Sequence, residues 1–590
     1  MREGKSSLSK TGAGSGLILV LLLALFCCPG SALASLSVKV TVEGITGPLL
    51  DNVMKYLSLE QQKTDPALTD GIVRRLHGRA EKEIQSALQP FGYYNPSVSK
   101  DLKREDAVWH ARYVIDPGVA VTVTELDLML KGPGGEDGEF KKLVGDFPVK
   151  VGDTLVHSRY EEGKKALLDL ALNRGYLDAR FALSRLEVYP EKNSARVILH
   201  FDTGARYRFG EVSFEQDTFN PAFLQRFVRI ERGDPFTLSD ITALQNSLRN
   251  SDYFSDIDIQ YRRDLAKERE VPVEVKLVPR KRNAYGLGIG FGTDTGIRGS
   301  LGWTNRRINE WGHRSLVALR VSEIKSSLSG RYTVPLSKPS TDSRVYTAGY
   351  FKENPDTSDS EMFMAGLSFN HLYGRWRRTL FLNYEREDFT VGSDSGQSDL
   401  IVPGASWTYT KADDTVYTTL GWRVLFEIKG AFEDFVSDLT FLQFLLHPKF
   451  IYGLGGFGRI ILRGEGGTIL IDNFSELPAS HRFFAGGDQS VRGYKYKDLG
   501  PVDQNGDVIG GKHILVGSIE YEQRLFEKWS AAIFYDVGNA INRLSDPYKE
   551  GAGFGIRWIS PVGLFRLDLA FALSRPGDPL RLHLTIGPDL

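Results

Sequence analysis

Two periodicities divide the chain. From residue 36 to 281, strands with alternating apolar positions are interleaved with helices whose apolar residues recur every three to four positions; from Ala284 to Leu590 only the two-residue alternation remains. The first stretch contains one unit three times. Its first copy opens on Val38-Lys39-Val40-Thr41-Val42, turns at Gly44, and enters a short helix with Leu49, Leu50, Val53, Met54 and Leu57 on one face. A second helix, with Asp70 as its expected cap, aligns Ile72, Val73, Leu76, Ala80, Ile84 and Leu88 and is stopped by Pro90 and Gly92. Strands at about 94–99 and 108–115 close the unit. The second copy repeats the order, with a strand at 121–128, then Phe140, Leu143 and Val144, and a helix carrying Tyr160, Leu167, Leu168 and Ala171 that Gly175 stops. In the third, the strand is 209–214, Pro221 suits a first helical position, Ser239 is the expected cap of a helix with Ile241, Leu244 and Leu248, and strands at 257–261 and 271–278 follow. The helix exits are alike: Gly92-Tyr93-Tyr94-Asn95, Gly175-Tyr176-Leu177-Asp178 and Asp252-Tyr253-Phe254-Ser255. An aromatic placed after a helix stop plugs the gap between helix and sheet, so the tyrosines read as packing residues.

Beyond Arg280-Lys281-Arg282 the chain shows about sixteen segments of roughly ten residues, separated by turn or polar clusters, which is the pattern of a transmembrane β-barrel. Segments 315–323, 379–384, 515–521 and 565–571 are examples, and Trp303, Tyr346, Phe363, Trp407, Trp422 and Phe441 suit a lipid-facing surface better than a soluble sandwich. The expected fold is therefore α+β repeats, three βααββ units at 36–118, 119–204 and 205–281, followed by a 16-stranded antiparallel transmembrane β-barrel at 284–590.

Composition adds less. Lys and Arg number 73 against 74 Asp and Glu, so no basic excess points to nucleic acid, while 61 glycines with 11% aromatics suit turn-rich β-structure. Arg2, Lys5 and Lys10, the apolar run 17–26 and Ala32-Leu33-Ala34 have the order of a secretory signal, expected to occupy 1–34. Both cysteines, Cys27 and Cys28, fall inside it, so the mature chain is expected to have no disulfide, cysteine nucleophile or thiolate metal site.

Catalytic signals are weak. The histidines form no metal-binding helix motif and no Gly-x-Ser-x-Gly elbow is present, so the chain does not read as an enzyme and no cofactor or metal is expected. Gly453-Leu454-Gly455-Gly456-Phe457-Gly458 spells a dinucleotide fingerprint but stands between two strand patterns, where a hairpin turn is expected. Asp503-Gln504-Asn505-Gly506-Asp507 lacks the remaining ligands of a calcium loop and reads as a solvated turn.

Two features carry more. Between the eleventh barrel strand (458–471) and the twelfth (513–521) lies the longest interruption, with Val491-Arg492-Gly493-Tyr494 near its centre. An arginine brought into the lumen needs carboxylate partners, and Glu520 and Asp536 lie on the next two strands. The first barrel strand, 284–293, puts Gly286, Gly288, Gly290 and Gly292 on one face and Tyr285, Leu287, Ile289 and Phe291 on the other. Glycine weakens a strand, and Pro588 removes a ladder donor near the other edge, so the seam between first and last strands is expected to be the soft point.

A leader, tandem βααββ units, a terminal barrel and Val-Arg-Gly-Tyr followed by Gly-x-x-Glu and Phe-x-Asp-x-Gly strands resemble the Omp85 superfamily, whose soluble units are POTRA domains. The resemblance implies that Arg492 anchors the loop in the barrel, with Glu520 and Asp536 as partners and Val491, Gly493 and Tyr494 in support. Three units before sixteen strands are similar to the TamA branch. That implies an outer-membrane position, unfolded outer-membrane protein clients such as autotransporters inserted through the seam into outer-membrane lipid, and a TamB-like inner-membrane-anchored partner that bridges the periplasm. Alternatives are the outer-membrane end of a phospholipid conduit and a two-partner-type secretion pore. Two departures stand out: Asp252 replaces the glycine of the other two helix exits, and the chain ends in Leu590 where Phe or Trp is usual.

Overall fold

In the computed structural model the described residues are 37–587 apart from 107, 415, 561–562 and 578–579. The expected signal, both cysteines and Pro588 lie outside them. Two compact units result, one comprising the chain to Arg208 with Pro235–Leu238, the other Phe209–Asp234 and Ser239–Leu590.

The first unit holds two three-stranded sheets. In one, β1 (Ser37–Glu43) pairs parallel with β3 (Val108–Asp116), and β2 (Ser97–Glu105) pairs antiparallel with the same strand. Being central, β3 buries alternate residues, Trp109, Ala111, Tyr113 and Ile115, against Val73, Leu76, Ala80 and Ile84 of the helix Asp70–Leu88. Thr69, not Asp70, caps that helix, accepting from Ile72 N–H. The Asp70 carboxylate instead accepts from Trp109 Nε1–H at 2.8 Å and from Arg104 at 2.6 Å. The second sheet repeats the order with β4 (Thr122–Lys131), β6 (Ser194–Asp202) in the centre and β5 (Arg180–Tyr189). The layers join where Gly92 O accepts from Val121 N–H (2.8 Å) and where Tyr94 Oη meets His157 Nε2 (2.6 Å).

The second unit contains the third sheet, β7 (Arg208–Glu215), β9 (Glu270–Pro279) in the centre and β8 (Phe254–Tyr261), and the barrel. Its long helix is Leu238–Asn250, so Ser239 lies inside it rather than at its cap. Asp252 takes the left-handed conformation (φ 63°) that Gly92 (91°) and Gly175 (81°) take at the corresponding exits. A side chain is strained there, and two guanidiniums hold it: Arg306 Nε at 3.1 Å and Arg280 Nη1 at 3.2 Å. Tyr176 and Tyr253 are buried, while Tyr93 is partly buried against the first core. Tyr253 does more than pack: its hydroxyl donates to Gly312 O in the turn between the first barrel hairpin's strands and the next, and Phe223 leaves no room for a Cβ at Gly312.

Sixteen strands, β10 to β25, follow in simple order, each antiparallel to the next. They begin with β10 (Asn283–Gly292), β11 (Gly296–Asn305) and β12 (Arg314–Ser322), and end with β24 (Gly563–Ala572) and β25 (Leu580–Gly587). Alternation sorts the two faces: Tyr285, Leu287 and Ile289 are each at least 78% exposed on the outside. Tryptophans gather toward the rim where the chain enters, with Trp376 tilted against Tyr409, Tyr409 stacked on Trp422 and Trp529 stacked on Trp558. Such aromatic girdles mark the membrane interface of outer-membrane barrels. Gly455–Phe457 is a short turn between β19 (Phe441–Gly453) and β20 (Arg459–Ile471), so the glycine-rich hexapeptide is a hairpin. Asp503 accepts from the backbone of Asn505 and Asp507, as a polar turn does.

Candidate functional site: a lumenal loop and an unlaced seam

The loop of residues 472–512, between β20 and β21 (His513–Phe526), folds back into the barrel. Apolar residues seat it: Phe483, Ala485, Val491, Tyr494 and Leu499 pack on Val402, Ile469, Ile514, Val516 and Ala572 of the wall. Gly493 has φ 97°, and a Cβ there would stand 2.8 Å from Ala572 N, so only glycine fits between motif and wall.

Arg492, 4% exposed, is the centre of a buried ion network. Its Nε donates to Asp536 Oδ2 (2.7 Å), Nη2 to Asp536 Oδ1 (2.9 Å), and Nη1 to Glu520 Oε2 (2.6 Å) and Asp568 Oδ2 (3.2 Å). Phe534 of β22 (Trp529–Ile541) lies beneath the guanidinium, 3.4 Å from ring centroid to Cζ. The structure thus brings Arg492, Glu520 and Asp536 together, with Val491, Gly493 and Tyr494 around them.

Five further members complete the network. Arg557 of β23 (Lys549–Ser560) donates to Glu520 Oε1 (2.7 Å), Glu522 Oε1 (3.3 Å) and Asp568. Glu522 also holds Arg459 (2.7 Å), whose guanidinium lies on the Tyr417 ring at 3.7 Å. With Arg463, 3.7 Å from Asp536, the guanidiniums of 459, 463, 492 and 557 face the carboxylates of 520, 522, 536 and 568, so the charges balance. Balance matters because a buried charge left without its partner costs several kcal/mol. The available signal was a charge flanked by apolar residues within a strand, as in Ile556-Arg557-Trp558 and Leu567-Asp568-Leu569, which alternation turns to the lumen.

The seam lies beside this network. No ladder joins β10 to β25 among the described residues; the sheet runs from one to the other and stops. What crosses the gap is side-chain chemistry, from the loop and from Thr293. Asp488 Oδ1 accepts from Thr293 Oγ1–H (2.9 Å), just after β10, and also contacts His583 Nδ1 in β25. Leu584 N–H donates to Thr293 Oγ1 (3.2 Å), and Asp488 N–H to Asp294 Oδ2 (2.6 Å). Gly493 N–H donates to His583 Nε2 (3.0 Å), so that nitrogen is the acceptor and Nδ1 carries the proton given to Asp488. Asp294, Asp488 and His583 bring ligand atoms within 4.8 Å of one another. Both ring nitrogens are already engaged, which makes the group a hydrogen-bonded clasp rather than a built metal centre.

The glycines of β10 are not merely bare. A Cβ at Gly288 would meet Ser300 Oγ at 2.5 Å and one at Gly290 would meet Arg298 Nε at 2.9 Å, because both side chains lean across from β11. Gly286 has open space, and Gly292 approaches Thr295 and Leu584 at 3.5–3.9 Å.

Helix-backed three-stranded layers followed by a sixteen-strand barrel with an inward-folded, arginine-anchored loop define a class, the transmembrane β-barrel carrying POTRA-type domains. The Omp85 superfamily domain matches residues 292–589, half of the chain, and the chain belongs to that superfamily. Residues 39–117 match POTRA domain TamA domain 1, and 207–280 match the surface antigen variable number repeat, itself a POTRA model. Among curated relatives, the outer membrane protein assembly factor BamA of Nitratidesulfovibrio vulgaris is 25% identical over 377 residues, 60% of this chain and 46% of that protein. BamA of Neorickettsia risticii is 22% identical over 484 residues, 75% and 63% respectively. The chain thus spans about half to under two thirds of the length of these relatives. BamA from Haemophilus ducreyi lacking POTRA domains 1–3 shares the fold, with TM-score 0.66 at 16% identity over 79% of this chain and 99% of that one. Membership places the barrel in the outer membrane and the POTRA layers in the periplasm.

Proposed function

We propose that this protein assembles client β-barrel proteins, autotransporters among them, by opening the seam between β10 and β25 so that a client strand pairs with the free edge of β10 and passes into lipid. The observation that carries the reading is that, among the described residues, no ladder joins β10 to β25 where every other neighbouring pair of barrel strands is laced. An unpaired edge offers N–H and C=O groups to any extended chain, with little demand on its sequence. The TamA-type match of the first POTRA layer supports a TamB-like partner on the periplasmic side. In this reading Arg492, held by Glu520 and Asp536, fixes the loop, and Gly286, Gly288, Gly290, Gly292 and Pro588 keep the seam weak.

The test is to place cysteines at Gly290 and Ile586, which line one cavity at the seam, and to join them with a short bis-thiol reagent. Client assembly is expected to stop while the barrel stays folded, and to return when a cleavable reagent is cut. Assembly at the unlinked rate overturns the proposal.

A second reading rests on a lumenal cavity of about 660 Å³ whose wall includes Arg423, Lys449, Arg463 and Arg566. A cationic cavity suits lipid phosphate, as the outer-membrane end of a phospholipid conduit requires. In that case the linked seam spares client assembly, and outer-leaflet lipid supply is what fails on deletion.

A further inference from the structure

The unpaired edge of β10 is not electrically neutral. Beside it lies a cavity of about 410 Å³, lined among others by Gly288, Gly290, Arg298, Ser300, Arg320 and, across the gap, Ile586. Arg298 is opposite Gly290 and Ser300 opposite Gly288 in the β10–β11 register, and Arg320 is opposite Ser300 in the β11–β12 register. Residues directly opposite share a face, so both arginines stand on the glycine face, away from Tyr285, Leu287 and Ile289. Both are exposed to the lumen. Among the described residues neither has an ion-pair or hydrogen-bond partner. The carboxylates nearby bond to backbone and not to either arginine, Glu323 accepting from Ile297 N–H and Asp294 from Asp488 N–H, while Lys325 pairs with Glu353.

Glycine gives this arrangement its reach. Because Gly290 has no side chain, Arg298 lies over it, its Nε 2.9 Å and its Cγ 3.3 Å from where a Cβ would stand. The cation is therefore one strand closer to the seam than its own backbone. A strand added to the edge of β10 puts alternate side chains beside Gly286 to Gly292, on the lumen face, next to Arg298 and the Ser300 hydroxyl.

We propose that Arg298, assisted by Arg320, is a specificity determinant of the seam, selecting client strands that carry a carboxylate on the lumen-facing side. This rests on the lateral-seam reading and names its substrate class: an amphipathic strand, apolar toward lipid and acidic toward the lumen. The carboxylate has two sources, an Asp or Glu side chain or the client's C-terminus.

The test uses the full chain in vesicles of neutral phospholipid, with a cysteine at Tyr285, which is 80% exposed on the outer face of β10. The probe is a synthetic amphipathic strand peptide with a thiol-reactive group, made with Asp, Asn or Lys at one lumen-facing position and ending in an acid or an amide. Capture of the Asp peptide is expected to be about three- to tenfold faster than that of the Asn peptide, with the advantage shrinking as salt rises, since partly exposed charge pairs act mainly on association rate. Arg298→Glu is expected to reverse the order in favour of Lys, and Arg298→Gln with Arg320→Gln to abolish it, the neutral pair guarding against a charge-reversed barrel that fails to fold. If the preference follows the terminal acid and not the internal Asp, the carboxylate recognised is the chain end, and the proposal stands in that form. Equal capture of all peptides, or a preference unmoved by either variant, overturns the specificity while leaving the seam intact. No capture of any peptide, together with undiminished assembly by the linked seam, overturns both. A rate set by added anionic lipid and not by the peptide assigns the arginines to headgroups and overturns the proposal.

Discussion

Asp488, in the lumenal loop, accepts a hydrogen bond from His583 in the last barrel strand, and the same oxygen accepts one from Thr293 beside the first strand. One carboxylate thus spans the interval that the backbone leaves unlaced. Hydrogen bonds to a charged group contribute about 1.5–3 kcal/mol, so Asp488→Ala is expected to raise local opening of the seam by about tenfold or more. Hydrogen exchange at residues 580–587 and 293–294 reads this directly, with the Arg492 network as an internal reference that stays protected. Unchanged exchange at the seam would show that the clasp does not hold it.

Removal of Arg492 tests the network from its centre. Arg492→Ala leaves Asp536, with no exposed surface, without its main cation and takes from Glu520 one of two, Arg557 remaining. Breaking such a buried pair from one side costs about 3–5 kcal/mol. Asp536→Asn is milder, because an amide still accepts from the guanidinium. Arg492→Lys loses the two-pronged contact with Asp536 and is expected to fall between them. Midpoints of denaturant unfolding for the three variants check the order.

Gly493→Ala changes no charge, yet is expected to release the loop almost as fully as Arg492→Ala. A Cβ at this position meets Ala572 N at 2.8 Å and Phe571 C at 2.9 Å, both backbone atoms that cannot turn aside, and the left-handed backbone adds its own strain. Protease sensitivity within 472–512 measures the release. A loop as resistant as the original would mean that the wall gives way at Ala572.

Much of this arrangement is legible in the residues because alternation and helical spacing are local. Strands 458–471 and 513–521 were expected from alternation, and the structure has β20 and β21 at those places. The meeting of Arg492 with Glu520 and Asp536 follows from neighbouring strands. Arg557 and Asp568 pair across the neighbouring strands β23 and β24, but alternation tells which face a residue takes and not its height in the barrel, and their other partners, Glu520 and Arg492, lie on a strand further off and on the loop. The clasp was hidden for another reason: Thr293, Asp488 and His583 belong to the two ends and one late loop of the barrel, brought together only by closure. Tyr253 looked like a packing residue because its ring is one; its hydroxyl bond to Gly312 depends on a turn that the repeat pattern does not describe.

Acid is expected to loosen the join between the first two POTRA layers. Tyr94 and His157 meet there at 2.6 Å, and burial lowers the His157 pKa below its ordinary value near 6.5 while raising that of Tyr94. Glu161 opposes the shift at His157 without overcoming burial. A histidine whose pKa is depressed by folding favours the neutral ring. Its contribution is therefore complete above the ordinary value and is lost as pH falls through the lowered one. Amide exchange at residues 92–95 and 155–160 is expected to rise as pH falls below the ordinary histidine value of about 6.5 in the full chain. His77 is depressed in the same direction, by burial first and then by Lys100, so a variant separates the two. His157→Phe keeps a ring at the join and removes the titration: a flat profile there identifies His157, and a profile that still rises assigns the loosening to His77.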